Sequence, residues 1–143
     1  MEIVEIRCRT VLRALDTLKE SIDHANEGSS TKFSKNLNNG LIQCFEYSIE
    51  EVWKLYGLYL QEIMSVNLGK PRSKDVLKAS LRYFLISQQE YEYLLVCVED
   101  RNQCLHGYNF FIATNILPRI PEHYEVMKSV VDRLHTQIMN NTK

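Results

Sequence analysis

The chain carries little that would interrupt a helix: 143 residues include only three prolines and five glycines, the two residues that punctuate regular structure most strongly. Their scarcity argues against a many-turned sheet and for helices. An excess of charge of one sign is also missing. Seventeen Lys and Arg against 18 Asp and Glu leave a formal net charge of -1, which excludes the broad positive field behind non-specific nucleic-acid binding, so any RNA contact has to be local. The four cysteines, Cys8, Cys44, Cys97 and Cys104, form no CxxC pair and no framework spacing. They read as reduced core or surface thiols, and the expected compartment is cytoplasmic. No apolar run approaches the roughly 20 residues of a membrane span, and the charges in Met1 to Arg7 stand too close together for a signal peptide, so neither export nor insertion is expected.

What is present is a globular composition, 45% hydrophobic and 24% charged. Residues 1–143 are expected to form one domain able to bury a core without disulfides or metals. Val4, Cys8, Val11, Leu15, Leu18, Ile22 and Ala25 alternate spacings of four and three, the stripe of a helix from about residue 3 to 26. Gly28 then offers a left-handed end, and Ser29, Ser30 or Thr31 a cap for the next helix. That helix is expected from about 31 to 67, with Leu37, Leu41, Phe45, Ser48, Val52, Leu55 and Tyr59 on one stripe and Ile42, Ile49, Trp53, Tyr56, Leu60 and Ile63 beside it, its weak point being Asn38-Asn39-Gly40. An apolar surface that wide suits the middle of a bundle or one side of a dimer.

Lys70-Pro71-Arg72-Ser73 reads as a breaker and cap before a third helix to about residue 86, which includes Val76, Leu77, Tyr83, Phe84 and Ile86. Ser87 opens a fourth, running to about residue 104 with Tyr91, Leu94, Leu95 and Val98 on its apolar face. A last segment begins near Asn109, is interrupted by Pro118 and Pro121, and resumes with Tyr124, Met127, Val131, Leu134 and Ile138, fraying from Asn140. The expected fold is all-α: an antiparallel, up-and-down four-helix bundle with a broken C-terminal helix.

One segment breaks the hydrophobic pattern in a chemically suggestive way. Arg101 extends the apolar stripe of Leu94 and Val98, and a guanidinium there must meet a carboxylate, a helix end, a phosphate or the bundle edge. His106 follows five residues later, where Gly107 can end the helix and turn the imidazole back toward the arginine. Such a pair suits metal-free RNA cleavage: the histidine moves a proton, and the arginine stabilises the charged phosphoryl transition state. The plainer alternative is a solvated helix end. Cys97, Cys104 and His106 lack a fourth ligand for a metal site, so neither metal nor cofactor is expected.

Several groups of residues extend this pattern: Leu41-Ile42-Gln43-Cys44-Phe45-Glu46-Tyr47 with Trp53-Lys54, Pro71-Arg72, and Asp100-Arg101-Asn102 with His106 and Tyr108. Over roughly residues 35 to 138 the chain resembles the HEPN superfamily, specifically the nucleotidyltransferase substrate-binding protein-like branch, partner to MNT-type minimal nucleotidyltransferases. The resemblance implies Arg101, Asn102 and His106 as catalytic residues of a metal-independent endoribonuclease, with Arg101 binding phosphate, His106 acting as acid or base and Asn102 orienting. It implies Tyr108 as the residue that a partner transferase AMPylates to silence cleavage, by placing anionic phosphate beside Arg101. It also implies a homodimer bringing two such sites together. The same branch allows another role, a non-catalytic substrate-binding subunit of a separately encoded nucleotidyltransferase. Cys104 and Gly107 stand where relatives often carry small hydroxyl residues, and Asn109-Phe110-Phe111 replaces an acidic stretch.

Outside the motif, Lys74, Lys78 and Arg82 are spaced four apart, downstream of Lys70 and Arg72. They suit an RNA backbone or an acidic partner surface, or are simply a solvated face. Glu46 is a candidate partner for Arg101, with Glu50 and Lys54 as an exposed pair. The tyrosines and Trp53 read mostly as packing, with Tyr108 the exception, and His24, His123 and His135 as surface residues.

Overall fold

The computed structural model describes residues 2–27, 31–107 and 109–141, with the side chains of 27 and 31–36 outside that description. Five α-helices are present among the described residues: α1 (Glu2–Glu27), α2 (Thr31–Glu62), α3 (Ser73–Arg82), α4 (Gln88–Cys104) and α5 (Ile120–Asn141). Specific pairs fix their directions. Arg7 meets Glu51, Ser48 donates to the Ala14 carbonyl and Ser21 meets Cys44, so α1 and α2 run antiparallel. Tyr93 meets His123 and Arg133 meets Glu90, so α4 and α5 are antiparallel as well. Phe45 stacks on His123, and Tyr56 donates to the Val130 carbonyl, so α2 and α5 run the same way. The four long helices thus form the expected up-and-down bundle, with short α3 packed on α2 and α4.

The stripe of α1 is buried from Val4 to Ile22, and α2 buries most of both its stripes. α2 passes through Asn38-Asn39-Gly40 without interruption, because the packing of its buried residues from Leu41 onward outweighs the low propensity of Asn and Gly. The expected caps at Gly28, Ser29 and Ser30 lie outside the described residues. Ser87 is the N-cap of α4, accepting from the Glu90 N–H at 3.1 Å while the Glu90 carboxylate accepts from the Ser87 N–H at 2.8 Å. This reciprocal arrangement satisfies donors that have no partner inside the helix.

Several ends differ from expectation. α2 stops at Glu62, five residues early, where the chain turns through Ser65 at φ 57°. Within Lys70-Pro71-Arg72-Ser73 the N-cap of α3 is Arg72, its N–H held by the Asp75 carboxylate at 2.9 Å. α3 stops at Arg82 instead of continuing to Ile86. The Phe84 N–H donates to the Leu81 carbonyl and the Leu85 N–H to the Ser80 carbonyl, the paired bonds of a Schellman ending. That motif requires a left-handed residue, and Phe84 takes it at φ 63°. Leu85 and Ile86 return to the core, whereas Phe84, expected inside the third helix, is 92% exposed and Tyr83, expected to pack, is 40% exposed. The C-terminal break is present as a wide π-helical turn (Ile112–Ile116) and a 3-10 turn (Leu117–Arg119) holding Pro118, whereas Pro121 does not interrupt the chain but lies in the first turn of α5, where its missing N–H needs no partner. α5 stays helical through Asn141, whose amide donates to the Tyr59 hydroxyl at 3.1 Å.

Candidate functional site

Arg101 lies in the last turn of α4, and its side chain is 28% exposed. It reaches across to α2, where its Nη2 meets Glu50 Oε2 at 3.0 Å. Its Nη1 donates to the Asn102 side-chain oxygen at 3.3 Å. Glu50 is also approached by the Trp53 indole at 3.2 Å and by Lys54 at 3.5 Å. The direct partner of Arg101 is therefore Glu50, not Glu46. Glu46 lines the same shallow groove, about 300 Å³, together with Gln43, Tyr47, Glu50 and Arg101. Its carboxyl is held above the usual range because burial penalises the charge, and the Arg101 guanidinium only partly offsets this. Arg101 Nε is buried with no acceptor among the described residues, a cost of about 1–3 kcal/mol that an incoming acceptor would remove.

His106 stands in the turn beyond α4, exposed, with its backbone N–H on the Gln103 carbonyl. The helix ends before Gly107, at Cys104 with Leu105 as its C-cap, and Gly107 follows in the turn at φ 90°. No bond joins the imidazole to Arg101 among the described residues. Arg101 is drawn onto α2 by Glu50, whereas His106 faces solvent. Tyr108 lies outside the described residues. Lys74, Lys78 and Arg82 are all exposed on α3, and none of them lines the Arg101 groove. Among the described residues no ion pair engages them. Cys97 and Cys104 are buried, and burial pushes the Cys104 thiol up to about 11, so it packs as a small apolar residue.

Behind Arg101 lies a network that the linear pattern did not reveal. Asp100 faces inward, where Arg119 donates to one carboxylate oxygen at 2.8 Å and His123 Nε2 lies 2.7 Å from the other. His123 is 1% exposed, which corrects its reading as a surface residue. Its Nδ1 meets the Tyr93 hydroxyl at 2.9 Å, and its ring stacks on Phe45. A neutral imidazole donating to Asp100 and accepting from Tyr93 satisfies both of its ring nitrogens. Asp100 thus ties the end of α4 to the start of α5, while Arg101 holds it to α2. One signal was available: Tyr93, Cys97 and Asp100 share a helical face.

A larger groove, about 600 Å³, runs between α1 and α2 past Arg13, Thr17, Ser21, Gly40 and Cys44, and shares Gln43 and Tyr47 with the Arg101 groove. Among the described residues no helix is long and apolar enough to cross a membrane.

The structure is an all-helical bundle with Arg101 on an open groove, Asn102 next to it in the chain and His106 beyond the helix end. The chain belongs to the nucleotidyltransferase substrate binding protein-like family, which it matches over residues 7–136. It is 31% identical to a protein of known crystal structure from Thermus thermophilus, over 87% of this chain and 98% of that one, with a TM-score of 0.72. The same fold occurs in crystal structures of the toxin-antitoxin MntA-HpeT. One mutant form matches at TM-score 0.75 and 17% identity, covering 95% of this chain and 99% of that one. A tyrosine-to-alanine mutant matches at TM-score 0.66 and 18% identity, covering 88% and 98%. A comparison with curated proteins found none that matches the chain.

Proposed function

We propose that this chain is the HEPN member of a toxin-antitoxin-like pair with a separately encoded MNT-type nucleotidyltransferase, and that it is a metal-independent endoribonuclease silenced by AMPylation of Tyr108. The observation that carries this reading is Arg101 set into an open groove beside Asn102, on a helix whose end presents His106 to solvent. In this reading Arg101 binds the scissile phosphate, Asn102 orients it and His106 moves the proton of the 2'-hydroxyl or the leaving group. In this reading the complete site forms between two copies related by a two-fold axis, which the lack of a bond between Arg101 and His106 within one chain supports. The MntA-HpeT fold relationship and the family match support a nucleotidyltransferase partner.

The test is the intact mass of the protein expressed with and without the transferase, alongside Tyr108→Phe. AMP-sized additions that disappear in the variant, together with RNA cleavage by the unmodified protein that His106→Ala abolishes, are the expected results. An unchanged mass with an active transferase, and RNA left intact by wild type and variant alike, would reject both parts.

A second reading has its own observation. Two carboxylates, Glu46 and Glu50, share the groove with one guanidinium, and they oppose a phosphate there. That balance favours a non-catalytic subunit presenting substrate to the transferase, which predicts tight complex formation and no growth arrest on expression.

A further inference from the structure

Phe84 occupies the position of a helix ending at which glycine is the common choice. A bulky side chain at φ 63° is strained. Proteins keep such strain where something else requires the residue. Packing does not require this one, because its ring is 92% exposed. Tyr83, the residue before it, is 40% exposed. Two aromatic rings are therefore shown to solvent at the end of α3, one of them against the preference of its backbone.

The helix that leads to them is the most basic stretch of the chain. Lys70, Arg72, Lys74, Lys78 and Arg82 are all exposed, and between residues 70 and 84 only Asp75 opposes them. The chain as a whole carries -1, so this face is a local exception. Lys74, Lys78 and Arg82 lie on one side of α3 and span about 12 Å at 1.5 Å per residue. The stripe begins close to the candidate site. A groove of about 200 Å³ joins Trp53 and Lys54 of α2 to Pro71 and Val76 at the start of α3, and both Trp53 and Lys54 contact Glu50, the partner of Arg101.

We propose that the α3 face is a binding strip for single-stranded RNA, in which Lys74, Lys78 and Arg82 hold successive phosphates and Phe84, with Tyr83 beside it, stacks a base. Cations that follow a backbone and an aromatic ring that accepts any base are the two elements of sequence-tolerant single-strand binding. An acidic protein surface would satisfy the cations but would not account for a strained, solvent-facing ring. The strip takes from the proposed function only that RNA is the ligand, and it leads a strand away from Arg101 rather than forming part of the cleavage site.

The experiment is a fluorescence-anisotropy titration of the full chain with a labelled 2'-fluoro single strand about a dozen nucleotides long, a length within reach of one small domain. Lacking a 2'-hydroxyl, this probe reports binding whether or not the protein cleaves. Wild type is expected to bind with an affinity that falls as salt rises. The double variant Lys74→Ala/Lys78→Ala should weaken binding and lower the salt slope by about 1.4, two phosphate contacts at roughly 0.7 each. Phe84→Gly should weaken binding roughly tenfold, the size of one lost stack, while its melting temperature holds or rises because glycine takes this backbone freely. Binding that ignores all three substitutions overturns the proposal, as does no binding at low salt. So does a loss of transferase or dimer association in Phe84→Gly with RNA affinity unchanged, which would assign the face to a protein. If cleavage is never found but these losses are, the strip stands and the nuclease reading falls. If Arg101→Ala abolishes cleavage while the α3 variants change nothing, the reverse holds.

Discussion

Glu46 shows how one side chain records the character of the groove. Burial lifts its carboxyl above the usual range more than Arg101 lowers it. Below the unfolded-state value both states hold the proton. Between that value and the higher folded one, only the folded protein keeps it, so stability falls as pH rises through this window and stays lower at neutral pH. Glu46→Gln is therefore expected to raise the melting temperature at neutral pH and to leave it unchanged at the acid end, read by thermal denaturation across pH. A lower neutral-pH melting temperature would mean that attraction to Arg101 outweighs burial. Arg101 itself was legible from its place on an apolar stripe, but its partner was not. Glu46 and Glu50 stand one helical turn apart on α2, and only the packing of α4 on α2 decides which one it meets.

At the scale of elements, α4 is held at both ends. Its start depends on Ser87 and Glu90, and Arg133 of α5 reaches Glu90 at 2.7 Å. These bonds pull the Glu90 carboxyl below its usual range. Their contribution is present above the unfolded carboxylate value and is lost as pH falls through the folded one. Ser87→Ala should cost about 1 kcal/mol in denaturant unfolding, and no measurable loss would contradict the cap. The far end depends on Asp100, buried against Arg119 and His123. Asp100→Ala should cost about 1–3 kcal/mol by leaving the buried imidazole without its partner. It should also speed hydrogen exchange in the last turn of α4 more than in α1. Uniform acceleration across the bundle would show that Asp100 supports the whole fold rather than the segment presenting Arg101 and His106.

For the whole molecule, the bundle leaves Leu105, Phe110 and Phe111 exposed around the segment that follows Arg101. The Arg101 groove is open as well. A two-fold dimer closing over this region is the arrangement the proposed site needs. Sedimentation at increasing concentration is expected to approach twice the chain mass, with Phe110→Ser shifting the equilibrium toward monomer. A monomer at all concentrations would leave each Arg101 and His106 pair without its counterpart and would favour the non-catalytic subunit.

The linear order of residues was enough for the all-helical class, the antiparallel bundle and the break at Pro118. Each of these follows from spacing, capping chemistry or covalent neighbourhood, all of which act within a few residues. Where helices stop was less legible. The stripe through Tyr83, Phe84 and Ile86 satisfies helical periodicity, yet α3 ends at Arg82, because returning Leu85 and Ile86 to the core outweighs the strain at Phe84. His123 could not be assigned from its surroundings in the chain, since Asp100, Tyr93 and Phe45 come from other helices. Only tertiary packing brings those groups together, and it alone decides that Arg101 is tied to Glu50 while His106 stays in solvent.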